Sequence, residues 1–267
     1  TLFFENKIND KKLMEKQAEK YINPLTDFGF KKLFGTELNK DLLIDFLNQI
    51  LPNQKIKDLS YSSNEHLGKL KIDRKAVFDL YCIGEDGERF IVEMQKAKQN
   101  YFKDRTVFYS SFPIQEQAQQ GNWNYKLKPV YSIGILDFEF GEHKEEETLL
   151  HVVELKNQRC EVFYNKLKFV YIELPKFKKT ADELETDFDK WLYVFTHLQK
   201  LQDRPKQLQS KIFQKLFQVA AIAGFTEEER KEYEDSLKNY RDIKNVVDTA
   251  KAEGREEGRE KEKKEIA

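Results

Sequence analysis

The chain has 267 residues, 39% of them hydrophobic and including 21 Phe and 12 Tyr, so it can bury one large core or a core plus a small appendage. Charged residues make up 35%, yet the formal net charge is −1, which excludes a globally basic nucleic-acid binder and leaves such contacts to local Lys/Arg clusters. Two cysteines, Cys82 and Cys160, give no disulfide framework; His66, His143, His151 and His197 lack zinc-ligand spacing; no apolar run approaches the roughly 18 residues of a membrane span.

Residues 1–20 are charged and weakly patterned, and read as an N-terminal arm without a signal-peptide pattern. Thr26 is placed to cap a short helix ending near Gly35, which carries Asp27, Phe28, Phe30, Lys31, Lys32, Leu33 and Phe34. A second helix runs from about 41 to 51. Leu42, Leu43, Phe46, Leu47, Ile50 and Leu51 form its apolar stripe, and Pro52 stops it. Residues 56–62 read as a strand.

The stretch from Lys75 to Gln95 reads as two apolar strands, 76–83 and 89–95, joined by a turn containing Gly84, Asp86 and Gly87. Alternation puts Lys75, Val77, Asp79, Tyr81 and Ile83 on one face of the first strand, and Ile91, Glu93 and Gln95 on one face of the second. A loop with an odd number of residues sets Asp79 directly across from Glu93, with Gln95 beside it. Two carboxylates within strands this apolar repel one another and lose hydration. A hard divalent cation held by oxygen ligands relieves both costs. The bland alternative, a solvent-facing carboxylate or a Lys pair, would expose Val77, Tyr81 and Ile91 on the same face.

From about 100 to 120 the pattern is helical, through Phe102, Thr106, Tyr109 and Phe112, with a kink or break expected at Pro113. Residues 129–138 read as a strand covered on both faces, so that strand, helix and strand make a crossover in a mixed sheet. Further strands are expected at 147–155 and 168–174. A helix over 182–201 follows, with Thr180 and Glu183 as its capping box and Leu184, Phe188, Trp191, Phe195, Leu198 and Leu201 on one face. Pro205 opens the next helix, closed by Gly224, and Thr226 with Glu229 caps a last one bearing Tyr233, Leu237, Tyr240 and Val247. Twelve of the fifteen residues from 251 to 265 are charged, which reads as a solvated helix or a disordered tail.

Positive charge gathers around the hairpin, at Lys69, Lys71, Arg74, Lys75, Lys96, Lys98, Lys103 and Arg105, with Lys31 and Lys32 upstream. A basic surface beside an acidic metal pocket suits phosphodiester cleavage, where a cation activates water and Lys and Arg hold the backbone. An Asp on one strand, an E-x-Q on its partner and a following helix resemble the PD-(D/E)XK nuclease superfamily. Within it the chain resembles the Rpn-type recombination-promoting nucleases, the PD-(D/E)XK nuclease family transposases. The resemblance covers most of the chain, through NPLTDFGFKKLFG (23–35), VFDLYC (77–82), FIVEMQ (90–95), Arg105, Tyr109, 115–121, PVYSIGILDF (129–138) and the segment from YRDIKN to AKAEGREEG near the end.

This resemblance implies a restriction-endonuclease-like mixed α/β fold over 21–178, with a central mixed sheet flanked by helices, a helical C-terminal region over 179–250 and a charged tail over 251–267. It implies a cytoplasmic, Mg²⁺-dependent DNA endonuclease, with Mn²⁺ as substitute, working in recombination or transposition as a homodimer, with no membrane partner and no organic cofactor. Asp79, Glu93 and the carbonyl of Met94 would ligate the metal. Gln95 stands where the superfamily usually has its catalytic Lys, Asp27 matches an acidic residue of the first helix, and Lys75 is a candidate for the missing charge. Lys31, Lys32, Arg74, Lys96, Lys98, Lys103, Arg105, Tyr109 and Gln115 would face DNA, although Arg105 and Gln115 also suit ordinary helix surface and Tyr109 the core. Two other classes stay open: a nuclease fold reduced to DNA binding or assembly, which the uncharged Gln95 favours, and an unrelated α+β interaction protein using 182–250.

Overall fold

The structure, a computed structural model, describes residues 19–51, 54–63, 65–66, 76–118, 121, 123–141 and 147–266. Thr26 caps helix α1 (Asp27–Phe34), its hydroxyl accepting the Gly29 N–H at 3.0 Å. Helix α2 (Lys40–Ile50) follows, and then strands β1 (Leu59–Tyr61), β2 (Glu65–His66), β3 (Ala76–Val77), β4 (Leu80–Gly84) and β5 (Arg89–Gln95). Helix α3 (Phe102–Gln115) leads to β6 (Val130–Leu136), β7 (Leu150–Lys156) and β8 (Val162–Glu173). Helices α4 (Asp187–His197), α5 (Lys211–Ala220) and α6 (Glu227–Ile266) complete the described chain.

Six strands form one mixed sheet in the order β1-β4-β5-β6-β8-β7, while β2 and β3 pair apart from it. β5, β6 and β8 run parallel; the outer pairings are antiparallel. All seven residues of β6 are buried, as an unbroken apolar run in a doubly covered strand must be. The expected mixed α/β architecture, with helices flanking a central mixed sheet, is what the chain forms. Among the described residues no helix is long and apolar enough to cross a membrane.

The two faces of the sheet carry different loads. Leu80, Cys82, Phe90, Val92, Tyr131, Ile133, Val170 and Ile172 join the large core with α1, α2, α4 and α5. There Phe34, Phe46, Trp191 and Phe195 pack ring against ring, and the Trp191 indole N–H donates to Asp45 Oδ1 at 2.7 Å. On the other face α3 covers two smaller clusters. One joins Phe102, Leu136, Phe138, Phe140, Phe169 and Tyr171, the other Phe78, Tyr81 and Ile91 beneath Tyr109 and Phe112.

Several elements depart from expectation. The strand expected over 76–83 is broken at Phe78 and Asp79, because Phe78 turns under α3 to join Tyr81, with ring centroids 5.7 Å apart. Val77 is consequently 53% exposed, although it was expected on the covered face. Pro113 does not break α3: it sits in the final turn, where little helix remains to be disrupted. Thr180 and Glu183 do form a capping box, but it closes only a 3₁₀ turn over Ala181–Glu183. A second box, Thr186 with Asp189, opens α4, and the chain tightens into 3₁₀ geometry after His197. The helix expected from Pro205 begins only at Lys211, after a 3₁₀ turn over Lys206–Leu208. Strand β8 starts at Val162, six residues early, and its first half pairs with the end of β7 in a projecting, bulged hairpin. The charged stretch from 251 continues α6 and is exposed through 261.

Gly134, the residue of β6 paired with Glu93 and with Tyr171, lets α3 lie close. A Cβ there would stand 3.0 Å from Tyr171 Cδ1 and 3.6 Å from Phe102 Cζ. We expect Gly134→Val to lower unfolding free energy by about 1–3 kcal/mol through overpacking, measured by urea denaturation, whereas Gly254→Ala, with open space around it, should cost nothing.

Candidate active site

The β4–β5 hairpin pairs Leu80 with Val92 and Ile83 with Arg89 across a turn over 84–88, so one further step sets Asp79 opposite Glu93. Gly87 provides the left-handed turn residue (φ 89°), and its N–H donates to Gly84 O at 2.9 Å. The break at Phe78 leaves Asp79 just outside the ladder. There the two acidic residues exchange hydrogen bonds with the opposing backbone: Asp79 N–H donates to Glu93 Oε1 at 3.2 Å, and Met94 N–H donates to Asp79 Oδ2 at 2.7 Å. The main chain thus fixes both carboxylates side by side in a largely apolar setting.

Their electrostatics follow from that placement. Burial pushes the Glu93 carboxyl up to about 8, the negative charge of Asp79 adds to the shift, and the Arg105 guanidinium opposes it. The Asp79 carboxyl is raised as well, chiefly by burial, while the Met94 N–H pulls the other way. Asp27 repels Asp79, and Lys31 and Lys96 attract it, so the start of α1 and the end of β5 contribute to the same field.

Around the pair the other expected residues fall unevenly. Asp27 and Lys96 form an ion pair at 2.9 Å, with the Lys96 side chain only 10% exposed, so that cation is engaged within the fold. Lys31 lies on α1 within the field of Asp79, whereas Lys32 is bonded to Glu229 of α6. Gln95 closes β5: its amide N–H donates to Ala97 O at 3.0 Å, and its Oε1 accepts from Arg105 Nη2 at 2.5 Å. Tyr109 is half-buried against Phe78, within the field of Glu93. Lys98 and Lys103 are exposed near the start of α3, where the Lys103 ammonium stands 5.1 Å from the Phe140 ring centroid. Gln115 is exposed at the far end of α3, about 15 Å along the helix from Arg105 at 1.5 Å per residue, and is not brought to the carboxylates. Arg74 and Lys75, with Lys69 and Lys71, lie outside the described residues. The Arg105–Gln95 contact was not foreseen; its signal is the ten-residue spacing, which allows one turn and the first coil of a helix to return a side chain to the strand end.

Among the described residues no group of three His, Cys, Asp or Glu side chains gathers as a ready-made metal cage. Two neighbouring carboxyls whose proton affinity stays raised despite Arg105, Lys31 and Lys96 are nonetheless a hard-oxygen donor pair suited to a cation. Mg²⁺ commonly takes one or two protein carboxylates and completes its shell with water and phosphate oxygens, so the residues present fit such an ion.

Buried carboxyls impose a pH dependence on the metal-free protein. In the unfolded chain Glu93 titrates near about 4.3; in the folded chain it does so near 8. The folded state therefore holds a proton that the unfolded state releases across that interval. Stability present below the unfolded value is lost as pH rises to about 8, and is then flat. We expect the melting temperature in EDTA to fall from pH 5 to pH 8, and Glu93→Gln to flatten the slope and raise the pH 8 value.

The family model for PD-(D/E)XK nuclease family transposases matches residues 24–250, from the first turn of the fold into α6. Comparisons with curated proteins and with solved structures find no match. The match spans both helical layers and the whole sheet, and the chain belongs to the family of PD-(D/E)XK nuclease family transposases.

Proposed function

We propose that the protein is a Mg²⁺-dependent DNA endonuclease, with Mn²⁺ as substitute, that hydrolyses phosphodiester bonds and so promotes recombination or transposition. The observation that carries this is the Asp79–Glu93 pair: two raised carboxyls fixed by backbone N–H groups at the end of an apolar hairpin. Membership of a nuclease family makes DNA the expected substrate.

Asp79 and Glu93, with the carbonyl of Met94, would hold the ion, which when bound supplies a Lewis acid at the phosphate and a more acidic water. The chain's own residues do the rest. Asp27 reaches the site through Lys96 and keeps that ammonium at the rim. Gln95, its oxygen taken by Arg105 and one amide N–H by Ala97 O, has its second amide N–H to offer a water, and Lys31, Lys98 and Lys103 offer charge to the phosphate backbone. In the reaction the water oxygen bonds to phosphorus and the ester P–O bond breaks. One water proton passes through solvent to the departing oxygen, leaving a phosphate monoester and a hydroxyl end. Cutting both strands of a duplex needs two such sites, which we assign to a homodimer.

A second reading has a specific observation behind it. Gln95 carries no charge where a Lys is usual, as in a nuclease fold kept for DNA binding alone. Plasmid cleavage separates the two. Wild type should nick or linearise supercoiled plasmid only with Mg²⁺ or Mn²⁺, and Asp79→Ala and Glu93→Ala should each lower the rate at least about 10³-fold, as loss of metal-held chemistry does. DNA binding that persists in all three proteins, with no cleavage in any, establishes the binding module instead.

A further inference from the structure

Gln95 can orient a water but brings no positive charge, and the structure sets a charge beside it. Arg105 Nη2 donates to Gln95 Oε1 at 2.5 Å, and Arg105 Nη1 donates to Gln99 Oε1. The Phe102 and Tyr109 rings flank the guanidinium, with centroids 5.5 and 5.8 Å from Cζ. Both hydrogen-bond partners are neutral amides, and among the described residues no carboxylate forms an ion pair with Arg105. The guanidinium is thus held in place without being neutralised. Of the other cations in the field of the carboxylate pair, Lys96 is spent on Asp27, and Lys31 acts on Asp79 from α1, in the opposite layer.

The position also faces the right way. Gln95 and Glu93 alternate onto one face of β5, so a guanidinium bonded to Gln95 lies on the face that carries the Glu93 carboxylate. Arg105 stands one turn into α3, whose start is fixed by Phe102 in the cluster with Tyr171 and Phe138. A guanidinium keeps its charge at any working pH and carries five N–H donors, of which the two amides take one each. The remaining donors suit the non-bridging oxygens of a phosphate.

We infer that Arg105 is a catalytic residue that meets the scissile phosphate and stabilises the charge building on its oxygens, and that Gln95 is the positioning residue holding it there. This rests on the nuclease reading above and names the group that replaces the usual Lys. Charge placed where it develops in the transition state acts on the rate; charge on the flanking backbone acts on affinity.

The test pairs single-turnover plasmid cleavage in Mg²⁺ with anisotropy titration of a labelled duplex in EDTA, for wild type, Arg105→Ala, Arg105→Lys and Arg105→Ala combined with Gln95→Lys. Arg105→Ala should cleave about 10²–10³-fold more slowly, with duplex Kd within about threefold of wild type and an unchanged melting temperature. Arg105→Lys should recover part of the rate, and the combined variant at least about tenfold over Arg105→Ala, because the Lys then stands in the strand position from which Gln95 now holds the Arg. An Arg105→Ala protein that cleaves within about threefold of wild type, or slows only in proportion to its lost affinity, or gains nothing from Gln95→Lys, overturns the inference. Wild type that cleaves no plasmid under either metal overturns the nuclease reading itself, and the inference with it.

Discussion

Two carboxylates held side by side by the backbone of an apolar hairpin are the constraint on which the rest of this protein turns. Asp79 and Glu93 do not drift apart to relieve their repulsion, because each accepts a hydrogen bond from the opposing strand. Nor can they gain full hydration, since Phe78, Tyr81 and Ile91 pack beneath Tyr109 and Phe112 on α3 beside them. The folded chain therefore carries an unfavourable local charge arrangement that the large core on the other face of the sheet must offset. Strain of that kind persists where a site needs it.

Four elements assemble the site, and each is held by packing remote from it. The start of α1 is fixed by the Thr26 cap and by α6, where Tyr233 Oη accepts the Asn23 N–H at 2.9 Å and Ser236 Oγ the Phe28 N–H at 3.1 Å. The end of β6 is tied to the same helix, where Tyr240 Oη donates to Asp137 Oδ2 at 2.7 Å and Lys244 pairs with that carboxylate at 2.9 Å, and the Asp137 N–H in turn donates to Gln95 O at the end of β5 at 2.9 Å. Helix α3 is seated by Phe102 against Tyr171 and by the bare backbone of Gly134. The buried part of α6 thus braces the acidic rim from one side and α3 braces it from the other, so Arg105 and Asp27 approach the same pair from different layers.

Much of this was legible in the residues, and the misses have identifiable causes. The odd-numbered turn containing Gly84 and Gly87 sets the hairpin register, Leu80 across from Val92, and both strands are covered on both faces. The seven buried residues of β6 announced themselves by the lack of any alternation. The break at Phe78 was hidden because Val77, Asp79 and Tyr81 alternate as an unbroken strand would; only packing against α3, remote in sequence, turns Phe78 away. At the start of α4 two capping boxes stand six residues apart, and only the first, Thr180 with Glu183, carries the usual sequence signature. The second wins because it brings Trp191 and Phe195 to the core. The Gln95–Arg105 bond joins a strand end to a helix ten residues on; that spacing allows the contact without requiring it, so the residues alone present Arg105 as a DNA contact and Gln95 as a catalytic group in its own right.

The central claim, that the Asp79–Glu93 pair holds a divalent cation, is tested most directly by calorimetric titration of Mn²⁺ and Mg²⁺ into metal-free protein at pH 7, in buffers of different ionisation enthalpy. Because Glu93 titrates near 8 without metal, binding should displace close to one proton, seen as a heat that changes with the buffer, and Asp79→Asn and Glu93→Gln should abolish the binding. Binding that survives both substitutions, or that releases no proton, would contradict the account.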